Sequence, residues 1–144
     1  MRALVQRVTQ ASVSVDGIVL AEIGPGLLVL VGVTHTDDEQ RADALARKVA
    51  GLRILRDGDR DDAAAEAIGA PLLVISQFTL YGDTRSGRRP SWQAAAPGAI
   101  AEPLVDSFVA SLRARELEVH TGRFGALMAV ASINDGPMTL SLEV

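Results

Sequence analysis

Two short stretches carry the residue types from which a hydrolytic site could be built. In LLVISQFTLYGD an apolar run meets Ser76, Gln77 and Thr79, polar side chains crowded around Phe78. If the strand simply continues, Gln77 and Thr79 share one face and Ser76 and Phe78 the other. The run reads either as a strand surfacing into solvent or as a pocket wall of polar side chains and freed backbone N–H groups. The second stretch is NDGPMT, Asn134–Thr139, set between the alternating runs MAVAS and TLSLEV. Asp-Gly alone predicts a hairpin turn. Pro137, however, removes a backbone donor just where the next strand should begin to pair. A cis Gly-Pro bond costs only about 0.5–1 kcal/mol, so an ordinary trans loop and a cis turn with redirected carbonyls both stay open.

Other chemistry is sparse. Arg85, Arg88 and Arg89 form the one local basic cluster of note, readable as a solvated loop or as phosphate contacts. His35 and His120 are the only histidines and there is no cysteine, too little for a typical zinc site or for thiol catalysis. Each histidine reads as a loop or strand-end residue. Asp57, Asp59 and Asp61 imitate the start of a calcium loop, but Asp62 stands where its glycine belongs and Ile68 where its glutamate belongs. Gly24-Pro25-Gly26 lacks the third glycine of a dinucleotide fingerprint and reads as a turn. No Gly-x-Ser-x-Gly elbow is present. Neither a metal nor a cofactor is expected.

The elements that must position these residues follow from period and composition. The 144 residues predict a single domain over 1–144 with a proper core. With 48% hydrophobic, 22% charged and only 3% aromatic residues, that core is built from Val, Leu, Ile and Ala. The apolar run IGPGLLVLVGV is too short to span a bilayer and no secretory signal is evident, so a cytoplasmic protein without membrane contact is expected. A net charge of −4 argues against bulk binding of DNA or RNA, though not against a local patch reading one RNA end. ALVQRV and ASVSV, Asp16-Gly17 and IVLAEI predict a hairpin, and LLVLVGV a buried strand. Thr36 and Asp37 are candidate caps for a helix carrying Ala42, Leu45, Ala46, Val49 and Leu52. LRIL predicts a short strand, and RDGDRDDAAAEAIGAP a mobile or irregular segment. A second helix is expected from about Glu102-Pro103, with Leu104, Val105, Phe108, Val109 and Leu112 as its apolar stripe. The C-terminal part returns to strands. The fold class is α+β: a largely antiparallel, barrel-like sheet with two packed helices.

SQFTL (Ser76–Leu80) together with NDGPMT (Asn134–Thr139) closely resembles the D-aminoacyl-tRNA deacylases, which hydrolyse the ester joining a D-amino acid to tRNA. The likeness also covers MRALVQRVTQASVSVDG, EIGPGLLVLVGVTH, SQFTLYGDTRSGRRPS and TGRFGA, nearly the whole chain. It implies a barrel-like α+β fold, an obligate homodimer and active sites at the subunit interface. Catalytic residues would be Ser76, Gln77, Phe78 and Thr79. Asn134, Gly136, Pro137, Met138 and Thr139 would bind substrate, with Arg7 steadying the Gly-Pro loop. That bond would be cis and would enter the partner's site, where the Gly136 and Pro137 carbonyls accept the α-amino group of a D-residue. An L side chain would be turned away by collision, and glycine, having none, would pass.

Ester hydrolysis needs an attacking oxygen and donors for the developing oxyanion, for which the N–H groups around Phe78 and Thr79 are candidates. Thr79 as nucleophile would need an adjacent base, and no histidine is near it in sequence. Shaping the pocket is therefore the preferred role for Thr79, with the 2′-hydroxyl at the tRNA 3′ end positioning water. The sequence departs from the family between Leu55 and Ile75, where a Lys-Met-Asn stretch and a Gly-Gly pair are usual, and at Leu127 and Ala129, where polar residues are usual. Rival readings are a deacylase of the same fold acting on L- or glycyl-mischarged tRNA, and a catalytically silent RNA-binding dimer.

Overall fold

The computed structural model describes residues 1–85 and 87–144. Strand β1 (Arg2–Val15) turns through Asp16 and Gly17, both at positive φ, into β2 (Ile18–Ile23), as the Asp-Gly signal predicts. The Gly24-Pro25 turn leads to β3 (Gly26–Gly32), which pairs antiparallel with β1 from Arg2↔Gly32 to Val8↔Gly26. Strand β6 (Leu72–Ser76) lies parallel to β3, and β7 (Val119–Thr121) parallel to β6. The last strand, β8 (Met128–Glu143), runs antiparallel along β1 on its other side. The order β2-β1-β3-β6-β7, with β8 branching from β1, curls into a nearly closed, barrel-like sheet.

Period-2 alternation explains how one sheet serves two cores. Leu27, Val29 and Val31 of β3, with Leu72 and Val74 of β6, face the helices. Leu28, Leu73 and Ile75 face a second cluster with Val8, Ala11, Val13 and Ile23. Both faces being covered, β3 and β6 read as unbroken apolar runs. Helix α1 (Glu39–Ala50) and helix α3 (Gly98–Arg113) supply the other half of the larger cluster through Leu45, Val49, Phe108 and Leu112, all fully buried.

Four local expectations change. The α1 cap is Asp38, whose side chain accepts from the Arg41 N–H at 2.9 Å, rather than Thr36 or Asp37. Asp37 instead turns inward, accepting from the Met1 α-amino group at 2.6 Å and the Thr34 N–H at 2.8 Å. LRIL is the strand expected there, β4 (Arg53–Asp57), but the stretch after it, expected to be mobile or irregular, is ordered: β5 (Arg60–Ala64) forms a hairpin with β4, with Gly58 at φ 59°, and helix α2 (Ala65–Ile68) follows. Its polar character hid β5, and the hairpin is seated by the buried Ile54, Leu55 and Ala63. Helix α3 begins at Gly98 after Pro97, placing Pro103 within the helix. Finally, NDGPMT is not the turn of a hairpin, because MAVAS and TLSLEV belong to the same strand. Asn134 pairs with Val8 and Thr139 with Gln6, so Asp135–Met138 bulge out of β8 opposite Arg7.

Candidate active site

The first motif stretch is placed by the β3–β6 ladder. The Gln77 N–H donates to the Val31 carbonyl at 2.7 Å, extending the pairing one residue past β6. The chain then tightens into a 3-10 turn, Phe78–Tyr81, closed by Leu80 N–H to Gln77 O (3.2 Å) and Gly82 N–H to Thr79 O (2.9 Å). Alternation therefore stops at Gln77, and strand faces do not describe Phe78 and Thr79. Gln77 and Thr79 still meet, the Gln77 amide donating to the Thr79 hydroxyl. Gly32 makes this close approach possible. A Cβ there would lie 3.0 Å from the Gln77 carbonyl oxygen and 3.2 Å from the Tyr81 ring. Among the described residues, the Phe78 and Thr79 N–H groups have no hydrogen-bond acceptor, as the opening donors of a helical turn often do not.

The turn borders a groove of about 730 Å³, walled in part by Ser76, Gln77, Phe78, Trp92, Phe124 and Met128. Phe78, half exposed, meets Trp92 edge-on with ring centroids 5.5 Å apart. Leu127 is 94% exposed at the rim, and Ala129 also lines the groove, so both departures from the family pattern make this wall apolar. Thr79 follows the wall residues in sequence and is not itself among the residues lining the groove.

The second stretch is held by side chains. Arg7, 3% exposed, continues the inward phase of Ala3 and Val5. Its guanidinium donates to the Ile54 carbonyl (2.8 Å), the Asp135 carbonyl (3.2 Å) and the Gly136 carbonyl (3.5 Å), and pairs with the Asp135 carboxylate at 2.9 Å. Asn134 spans the bulge, its amide donating to the Arg7 carbonyl (2.9 Å) and the Met138 carbonyl (3.1 Å) while its oxygen accepts from the Thr139 hydroxyl (2.9 Å). Met138 packs on the larger core cluster. The Gly136–Pro137 bond is cis, with both residues exposed. Arg7, Asn134, Gly136, Met138 and Thr139 thus gather around one bulge, and Ser76, Gln77 and Phe78 around one groove. Within the chain the two groups do not join: among the described residues, none of the bulge lines the groove.

The basic loop divides. Arg85 folds back on Asp83 with Nε at 3.0 Å and Nη2 at 2.7 Å, and the Asp83 and Ser91 backbones exchange two hydrogen bonds of 2.8 Å. Hydrogen bonding from Arg85 holds the Asp83 carboxyl down at about 2 and raises the Arg85 guanidinium. Arg88 and Arg89 are exposed and, among the described residues, make no ion pair. Neither histidine lines the groove: His35 Nε2 lies 2.9 Å from the Gln93 carbonyl and His120 Nε2 lies 2.6 Å from Glu118. Tyr81 is pushed up to about 12, chiefly by burial, and stays a neutral phenol under Arg2. In the acidic hairpin, Asp61 faces Arg56 and Arg7, and Asp62 faces Arg53 and Arg60. Sequence reasoning missed Trp92 and Phe124 as groove walls, although Phe124 lies in the family-like stretch TGRFGA and Trp92 directly follows another. It also missed Ile54 and Arg56, which touch the bulge only through the fold.

Residues 4–143 match the family model described as D-Tyr-tRNA(Tyr) deacylase. A protein of Kineococcus radiotolerans named D-aminoacyl-tRNA deacylase is 60% identical over 144 residues, covering 99% of this chain and 99% of the relative. One of Thermobifida fusca with the same name is 61% identical over 145 residues, covering 100% of both. The solved structure of a protein called c-Myc DNA Unwinding Element Binding Protein superposes with a TM-score of 0.92 at 37% identity, covering 100% of this chain and 99% of that one.

Proposed function

The chain belongs to the D-Tyr-tRNA(Tyr) deacylase family, and we propose that it hydrolyses the ester of D-aminoacyl-tRNA to free tRNA and amino acid, as one catalytic domain acting in the cytoplasm. What carries the reading is the family match over residues 4–143 in a chain whose Ser76–Phe78 wall opens on a groove. The attacking oxygen is water, positioned by the 2′-hydroxyl of the terminal adenosine. The free N–H groups of Phe78 and Thr79 receive the negative charge that grows on the ester oxygen. Thr79 shapes the site and is not the nucleophile: its hydroxyl is engaged by the Gln77 amide, and among the described residues no carboxylate or imidazole bonds to it. Neither metal nor cofactor has a step in this scheme.

Handedness is read in trans. The bulge projects Gly136 and Pro137 outward, and a Cβ built on Gly136 meets nothing within 4 Å in its own protomer. Among the described residues strand β8 pairs with β1 alone and leaves its other edge free, with Leu127 before it and Val130 and Ile133 along it exposed. A long apolar edge is a pairing template, and a second copy of the chain is the occupant that brings the bulge to the groove. There the Gly136 and Pro137 carbonyls accept the α-amino group of a D-residue and collide with an L side chain. Glycine, with nothing to collide, is hydrolysed as well. Asn134, Thr139 and Arg7 hold the bulge, and Arg88 and Arg89 meet phosphates of the acceptor end. DNA and membranes are not partners in this reading, the net charge being −4.

The nucleophile is tested by Thr79→Ala in single-turnover ester hydrolysis. Turnover is expected to stay within about tenfold of the parent, roughly 1.4 kcal/mol. A loss of several thousandfold with a trappable acyl-enzyme would assign the attack to Thr79.

A further inference from the structure

Among the described residues the β4–β5 hairpin pairs with no other strand, yet it reaches the bulge once and the bulge's anchor Arg7 twice. The Ile54 carbonyl accepts from Arg7 at 2.8 Å. Arg56 Nε lies 3.1 Å from the Asp135 carboxylate, and Asp61 lies 3.2 Å from the same Arg56 nitrogen and 3.8 Å from Arg7. Asp135 is therefore clasped between a buried arginine from β1 and a half-exposed one from β4, with its carbonyl bound as well. It immediately precedes Gly136. A residue fixed by both its carboxylate and its carbonyl leaves the next peptide little rotational freedom.

We infer that Arg56, set by Asp61, is a positioning residue for chiral selection: acting through Asp135, it fixes where the Gly136–Pro137 carbonyls point. The inference rests on the reading of the bulge given above. Arg7 holds Asp135 from one side only, through a single Nε–H that serves both the Asp135 carbonyl and its carboxylate. Removing Arg56 frees one side of the Asp135 carboxylate, and the bulge gains play in the direction away from β1. A looser barrier fails by admitting the wrong substrate. The L-aminoacyl ester, otherwise excluded by collision, is then hydrolysed faster.

The test uses the full chain and one tRNA charged with D- or L-tyrosine, following ester loss in single turnover for both. Arg56→Ala is expected to lower the D-over-L ratio of kcat/KM about three- to fivefold, the scale of an ion pair with an exposed partner, through a rise in the L rate. Arg56→Lys should recover part of that change. Asp61→Ala should add little on top of Arg56→Ala, since both act through one clasp. A general loss of structure cannot raise the L rate, so equal falls on both substrates, or an unchanged ratio, overturn the role of Arg56. Gly136→Ala separates this from the underlying reading, because its Cβ is free of contact within the protomer. If Gly136→Ala alters D hydrolysis and Arg56→Ala leaves the ratio alone, only the positioning role fails. If Gly136→Ala changes neither rate, the reading of the bulge fails and takes the role of Arg56 with it.

Discussion

Ser76–Leu80 and Asn134–Thr139 are both short polar stretches that interrupt long apolar strands, yet opposite forces hold them. The first is fixed by backbone: a ladder bond from Gln77 to Val31, a 3-10 turn, and the missing Cβ of Gly32. The second leaves its strand's ladder and is fixed by side chains, with Arg7 and Asn134 replacing the pairing that the bulge gives up. The difference suits the two tasks. In the proposed scheme the oxyanion donors stand rigid in a packed wall, whereas the proposed probe projects away from the chain that anchors it.

The contrast is broken most severely at Arg7. Arg7→Ala strips a buried cation from three carbonyls and a carboxylate, and a destabilisation of roughly 3 kcal/mol is expected in urea unfolding. The D-over-L ratio should collapse with it. A variant that keeps its selectivity would show that the bulge holds its shape by backbone alone. Gly32→Ala sharpens the other half. The new methyl presses on the Gln77 carbonyl, which should cost about 1–3 kcal/mol and lower kcat/KM at least about tenfold for D and glycyl esters alike, with selectivity intact. Smallest is the effect at the basic loop. Arg88→Ala with Arg89→Ala should weaken tRNA binding and flatten its log–log salt dependence by about 1–2 units. Arg85→Ala, already satisfied by Asp83, should change affinity less than about twofold. Equal effects at all three would mean that Arg85 leaves Asp83 for phosphate.

Much of the scaffold was legible because local and tertiary signals agree. Asp16-Gly17 demands positive φ at both positions, and β3, α1 and β6 carry clear periods that burial then repeats. Where signals were purely local the reading slipped. The Pro103 ring suggested a helix start, but Pro97 and the buried Ala101 place it four residues earlier. Of the hairpin 53–64 only LRIL was read as a strand; β5 resembled a loop because it is secured by few apolar anchors and by arginine–carboxylate pairs to other strands. The bulge could not be read at all. Its two flanks alternate as a hairpin's would, and only pairing with β1, well over a hundred residues away in sequence, shows that they form one strand. At the site, the polar residues of both motifs were visible as types. That they occupy two places in the chain was implied by the family resemblance alone, because separation is a property of the sheet.

The proposal that a wall in one protomer works with a probe from another comes down to one comparison of rates. One tRNA is charged with the D- or the L-form of the same amino acid, and ester loss is followed with the unmodified protein in excess. Hydrolysis of the D-ester with the L-ester spared is the expected result. Equal rates on both, or none on either, would contradict it.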